Sequence, residues 1–157
     1  MTQTQADMAE ILTMDGFEQL TAFTNGQFPP APISHTLGMT NFQVERGSVS
    51  VELKAEQRHY NPIGSVHGGV ISTLLDTAAA CSVHTTLAPG EIYTSLDLTV
   101  KFLRPVTVES GTLRAVGTVI QRGRRTALAE AKLYDEAGKL VAYASSSCMI
   151  MPMAGGY

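Results

Sequence analysis

The spacing of apolar residues predicts an α+β fold, a long antiparallel sheet curled around one central helix with a further helix at the N-terminus. Three observations carry this. The stretch from Gly68 to Thr85 is apolar almost all the way round, with Val70, Ile71, Leu74, Leu75, Ala78, Ala79, Cys81 and Val83, so it belongs inside the protein. A strand-like hairpin precedes it, and four strand-like segments follow it. One helix flanked in sequence by that many strands is covered only if the sheet wraps it.

Each element has its own signal. Met8, Ile11, Leu12, Phe17, Leu20 and Phe23 recur at roughly helical spacing over 7–24; Asp15-Gly16 divides this stretch and Asn25-Gly26 closes it. Phe28-Pro29-Pro30-Ala31-Pro32 forces an extended, non-helical loop. From Leu37 the period becomes two. Val49, Val51, Leu53 and Ala55 alternate with Ser48, Ser50, Glu52 and Lys54, and this strand pairs with 37–44 through Glu45-Arg46-Gly47. After the central helix, Ile92, Thr94, Leu96, Leu98, Val100 and Phe102 predict one face of a single long strand ending at Arg104-Pro105. Strands over 110–121, 125–134 and 139–150 follow, separated by Arg122-Gly123-Arg124 and by Asp135-Glu136-Ala137-Gly138. One domain over 1–157 is expected, with the N-terminal helix and proline-rich loop in 1–33 and the core in 34–152.

Composition narrows the function. The formal net charge is −3, which supplies no general phosphate-binding surface and counts against nucleic acid as a partner. Charged residues are 16% of the chain against about 25% in typical soluble domains, so part of the surface is expected to meet another subunit. No apolar run approaches the ~20 residues of a membrane span. The polar, acidic start lacks the pattern of a secretory signal, and the cytoplasm is the expected compartment. Cys81 and Cys148 match no metal or redox spacing and read as reduced, buried thiols. Phosphate-loop, dinucleotide, serine-elbow and zinc-helix motifs are all missing.

The chemistry concentrates in 59–69 and in the helix that follows. Asp76 lies two turns into that helix, and its neighbours at three and four positions are Ser72, Thr73, Ala79 and Ala80; no Lys or Arg occurs between Arg58 and Lys101. Desolvation should raise its pKa and make it a better base near neutrality. The helix alone leaves a second reading, an acid capping another element or reaching solvent at the end of a groove. Gly68-Gly69 at the helix start offers unpaired N–H groups to a carbonyl oxygen, as an oxyanion site would; tight helix–sheet packing accounts for the pair equally well. His67 fits a structural histidine, and Asn61 before Pro62 fits a plain turn. Arg122, Arg124 and Arg125, with Arg104 behind them, are the cations available to an anionic substrate, or else a solvated hairpin tip.

In combination, Asn61, Gly68 and Asp76, joined by His67-Gly68-Gly69, resemble the signature of hotdog-fold acyl-CoA thioesterases of the phenylacetate-pathway type. The likeness extends upstream to Phe28-Pro29-Pro30-Ala31-Pro32 with Leu37-Gly38, and downstream to Thr94-Ser95-Leu96-Asp97-Leu98 and Lys101-Phe102-Leu103-Arg104-Pro105. The resemblance implies an acyl-CoA hydrolase with no metal or redox cofactor. It also implies a homodimer with two sites at the subunit interface, and a tetramer of two such dimers. In each site the Gly68 N–H, flanked by Gly69, would polarise the thioester carbonyl with Asn61 assisting, and His67 would hold the loop. Asp76 of the other subunit would activate water or attack directly. Ser95, or the adjacent Thr94, would orient the water. Arg104, Arg122, Arg124 and Arg125 would meet the anionic part of coenzyme A. An aromatic acyl group is the first expectation, a medium chain the second. The competing readings are a hotdog hydratase or dehydratase, which would use a catalytic histidine, and a non-catalytic acyl-CoA-binding module.

Overall fold

The computed structural model describes residues 9–153. Asp15 does divide the N-terminal stretch: its carboxylate accepts the Glu18 N–H at 2.8 Å while Glu18 accepts the Asp15 N–H at 2.8 Å, starting helix α1 (Gly16–Thr24) with a capping box. Met8, expected in the same stretch, lies outside the described residues. α1 seats on the end of the central helix so closely that a Cβ at Gly16 would stand 1.7 Å from the His84 carbonyl oxygen. The proline-rich loop ends sooner than expected. Pro32 opens a short helix, α2 (Pro32–Leu37), because its fixed φ suits the first helical position where no N–H is needed; Gly38, at φ +76°, closes it.

The hairpin expected next is β1 (Met39–Glu45) and β2 (Ser48–Lys54). The central helix is α3 (Gly68–His84). The strands after it are β3 (Glu91–Ser95), β4 (Thr99–Phe102), β5 (Thr112–Arg122), β6 (Thr126–Tyr134) and β7 (Leu140–Pro152). All pairings are antiparallel, in the order β1-β2-β5-β6-β7-β3, with β4 also on β7.

The sheet can curl onto α3 because its inner face is small where the helix crosses. Ala115, Ala129, Ala131 and Ala144 are fully buried there, and a Cβ on Gly117 would stand 2.0 Å from the Ala78 carbonyl oxygen. Leu74 and Leu75 on the helix and Leu113 and Leu133 on the sheet are also fully buried, each contributing about 2–3 kcal/mol. The helix is not covered all round, however. Ser72, Thr73, Asp76, Thr77 and Cys81 form a half-buried stripe that its own sheet leaves open.

The single strand expected over 92–102 is two. Regular pairing stops over Leu96-Asp97-Leu98: the Leu96 N–H still donates to the Ser147 carbonyl at 2.8 Å, and Asp97 stands in for the missing return bond, its carboxylate accepting the Ser147 N–H at 2.9 Å and its carbonyl the Ser146 hydroxyl at 2.8 Å. The break changes which side chains face inward. Tyr93 packs on the core before it, Leu98 and Val100 after it, while Leu96 and Phe102 are 56% and 55% exposed. The expected common face of Ile92 through Phe102 therefore does not exist, because an irregular residue in a strand reverses the alternation. β3 and β4 form one free edge of the sheet, with apolar side chains on it.

Candidate active site

The first turn of α3 owns four N–H groups with no acceptor inside the helix. His67, the N-cap, takes most of them: its Nδ1 accepts the Gly69 N–H at 2.8 Å and its carbonyl accepts Val70 at 2.9 Å and Ile71 at 3.3 Å. The Gly68 N–H is left without a partner among the described residues. The Gly69 N–H, expected to face a substrate, is thus taken up by the cap, and Gly68 keeps the one open donor of this turn among the described residues. The His67 ring, with Nδ1 as acceptor, is a cap that fixes the helix start.

Asn61 builds the turn that leads into this start. Its Oδ1 accepts the Ile63 and Ser65 N–H groups at 3.1 and 3.2 Å, its Nδ2 donates to the Ser65 hydroxyl at 3.0 Å, and Gly64 supplies φ +85°. Between this turn and the segment after β4 lies a groove of about 310 Å³, lined by Asn61, Gly68, Ile71, Phe102 and Arg104 among others. Asn61, Gly68 and Arg104 therefore share one groove. Phe102, which lies closest of these to Gly68, carried no sequence signal beyond its place in a strand motif; an aromatic residue closing a strand reads as core.

Asp76 is elsewhere on the same helix and does not line that groove. Burial raises its carboxyl above the usual aspartate value, and the nearby Ser95 hydroxyl offsets part of the rise. No cation is within ion-pair distance among the described residues. Of the two candidate hydroxyls, Ser95 is the one beside the carboxylate; Thr94 makes only a 3.5 Å contact with the Ser95 carbonyl. The charge of Asp76 also reaches Cys81 and Cys148. Burial pushes the Cys81 thiol up to about 12, with Asp76 adding to the rise, and raises the Cys148 thiol as well, so neither stands as a nucleophilic thiolate near neutrality. Among the described residues no cluster of His, Cys, Asp and Glu is arranged to hold a metal.

The arginines divide into two places. Arg122 is committed: it pairs with Glu91 at 2.7 Å, donates to Thr86 at 3.2 Å and holds the Gly123 carbonyl. These contacts fix the turn with Arg124 and Arg125, both exposed, just past the C-terminal end of α3. The helix has 17 residues, so that turn stands about 25 Å from Gly68. Arg104 is not behind it within one chain but at the other end of the helix.

The same measure separates the two reactive groups. Eight residues of α-helix place Asp76 about 12 Å from Gly68 along the axis and about 80° around it. An amide donor and a base that act on one carbonyl each lie within hydrogen-bond reach of the reacting atoms, closer together than this. Within one chain the two groups face different spaces.

A family model described as the thioesterase superfamily matches residues 63–142, a stretch that includes Gly68, Asp76 and Ser95. The chain is 30% identical over 109 residues to the 1,4-dihydroxy-2-naphthoyl-CoA hydrolase of Listeria monocytogenes, covering 69% of this chain and 87% of that one. It is 31% identical over 99 residues to acyl-coenzyme A thioesterase 13 of Homo sapiens, covering 61% and 68%. Among solved structures, a phenylacetic acid degradation-related protein from Ralstonia eutropha JMP134 matches with a TM-score of 0.75 at 32% identity, covering 82% of this chain and 97% of that one. No helix among the described residues is long and apolar enough to cross a membrane.

Proposed function

The chain belongs to the thioesterase superfamily and is a hydrolase of thioester bonds, and from that premise we propose that it cleaves acyl-CoA at a site shared between two copies. The Gly68 N–H of one copy polarises the thioester carbonyl. Asp76 of the second copy takes a proton from water, whose oxygen attacks the carbonyl carbon. The tetrahedral intermediate collapses, the C–S bond breaks, and the thiolate of coenzyme A leaves and is protonated. Ser95, whose hydroxyl lies beside Asp76, orients that water. Asn61 and His67 act by fixing the turn and helix start that present the Gly68 donor.

What carries this reading is a pair of groups on one inner helix, the Gly68 N–H without a partner and the Asp76 carboxylate without a cation among the described residues, too far apart to meet except through a second chain. The apolar free edge of β3 and β4 and the open stripe of α3 are the surfaces the second copy would cover, and the chain's low charge fits a further pairing of such dimers. A hydratase would need a free catalytic histidine, whereas the His67 Nδ1 is already used as a cap. The named activity of the Listeria relative and the phenylacetic acid link of the Ralstonia protein favour an aromatic acyl group here.

Thiol release from a panel of aromatic and straight-chain acyl-CoAs tests the proposal. Asp76→Asn should lower turnover about 10²–10⁴-fold while acyl-CoA still binds. In the unsubstituted enzyme the rate should fall on acidification through a pKa above that of an ordinary aspartate, because the base must be ionised and burial raises its pKa. Full turnover by Asp76→Asn would exclude Asp76 as the base.

A further inference from the structure

His59 takes no part in the steps above, yet every polar atom it owns is committed. It is 4% exposed, at the end of a single helical turn (Gln57–His59) that precedes the Asn61 loop. Its ring makes two hydrogen bonds: Nδ1 with the Glu56 N–H at 3.1 Å, and Nε2 with the carbonyl of Leu37, the last residue of α2, at 3.1 Å. A backbone N–H can only donate and a carbonyl only accept, so these partners put the ring's one proton on Nε2. The first bond is local; the second reaches a separate element 22 residues away.

The backbone of His59 faces the other way. Its carbonyl accepts the His67 N–H at 2.8 Å, and the Asn61 N–H donates to the Ser65 carbonyl at 2.8 Å, so 59–67 is a small hairpin with Tyr60 opposite Val66. Asn61 shapes its tip. Val66 and Tyr60 tie its middle to Val106 and Val108. His59 closes its base, where the chain enters α3, and the ring of His59 ties that base to α2. His67 is thereby held on both sides of its α-carbon, its N–H by His59 and its carbonyl by Val70 and Ile71. The peptide that follows that α-carbon carries the Gly68 N–H.

We propose that His59 is a positioning residue for thioester hydrolysis: by tying the base of the hairpin to the end of α2, its ring fixes His67 and, through His67, the direction of the Gly68 N–H. This rests on the thioesterase reading above, with Gly68 as carbonyl donor. Such a donor acts chiefly on the charge that develops on oxygen in the transition state, so misdirecting it lowers kcat and leaves KM nearly unchanged.

The test is kcat and KM for His59→Leu, His59→Asn and His59→Gln with an acyl-CoA that the unsubstituted enzyme cleaves. Asn can place an acceptor where Nδ1 stands but does not reach Leu37; Gln can place a donor where Nε2 stands but loses the Glu56 bond. His59→Leu and His59→Asn should lower kcat about 10–100-fold, with KM changed by no more than about twofold. His59→Gln, which keeps the tie to α2, should return kcat to within about threefold of the unsubstituted enzyme. In a Gly68→Pro background, where that N–H is gone, His59→Leu should cost less than about twofold more, because no donor is left to aim. The full loss repeated in that background would make His59 a support of the fold at large and overturn the proposal. So would undiminished kcat in all three variants, a rise in KM in place of a fall in kcat, or recovery by Asn and not by Gln. Should His59→Leu fail to fold, His59→Asn replaces it in both comparisons. An unsubstituted enzyme that cleaves no acyl-CoA would instead sink the thioesterase reading, a failure distinct from these.

Discussion

A shared site makes a quantitative prediction about mixed assemblies. Two substitutions each remove one half of the chemistry. Asp76→Asn removes the base, and Gly68→Pro removes the N–H while leaving the backbone undisturbed. Proline is tolerated at the first helical position, and it confines the preceding residue to extended geometry, which His67 already has at φ −59° and ψ 134°. The new ring would press on Phe102, whose exposed side chain has room to turn aside. Each variant alone should lose at least about 100-fold in turnover, a lost oxyanion donor or base costing that much. Mixed at random in equal amounts, half of the dimers carry one chain of each kind, and each such dimer keeps one site with an intact Gly68 facing an intact Asp76. The mixture should therefore recover about one quarter of wild-type thiol release per chain. Purification of the mixed dimer through two different tags should raise this to about one half. A mixed dimer no more active than its parents would mean that both groups act from the same chain, and the 12 Å separation argument would be wrong.

The core was legible because its signals are local and repeated. The all-apolar helix, the alternation over 48–55 and the small residues of the later strands each impose a period, and each element formed within a few residues of where that period places it. Two features were not legible for definite reasons. Pro32 has the local signature of a breaker, although the same fixed φ that stops a helix from behind favours one that starts at it. The strand over 92–102 alternated without fault in sequence. The irregularity at Leu96-Asp97-Leu98 is set by hydrogen bonds to Ser146 and Ser147, fifty residues away, which no local pattern reveals.

The site was legible in part. An acid without a nearby cation, inside an apolar helix, is a local anomaly that sequence displays; so is a glycine pair at a helix start. Sequence could not say which of the two glycines keeps its N–H free, since that depends on the direction of the His67 ring. Nor could it say that Arg122 is spent on Glu91, thirty-one residues earlier, or that Arg104 lies a helix length from the other arginines. Long-range pairing decides which cations remain for a substrate, and pairing of that kind leaves no spacing in the chain.

Two further outcomes test the packing that positions the site. Gly117→Ala should destabilise the fold by about 3 kcal/mol in urea unfolding, since its Cβ would fall 2.0 Å from a helix carbonyl that cannot retreat; a loss under about 1 kcal/mol would show that α3 does not sit directly on β5. His84, at the end of α3, concerns pH. Burial lowers its imidazole to about 4, its Nε2 lies 2.8 Å from Gln19 Oε1, and its ring meets Tyr93 edge-on. The depressed value fixes the sign. Above pH 6.5 the ring is neutral folded and unfolded, and its contribution is whole; between 6.5 and 4 the unfolded chain gains a proton that the folded protein resists, and stability drains away. The full loss is about 3 kcal/mol, so His84→Gln, which keeps a hydrogen-bonding partner for Gln19, should lose about 2–3 kcal/mol less than the wild type between pH 7 and pH 4.5. Carboxylates titrate in both proteins over this range and cancel in the comparison. Equal losses in the two would mean that the α1–α3 junction admits water to the ring, and that α1 does not close the end of the central helix.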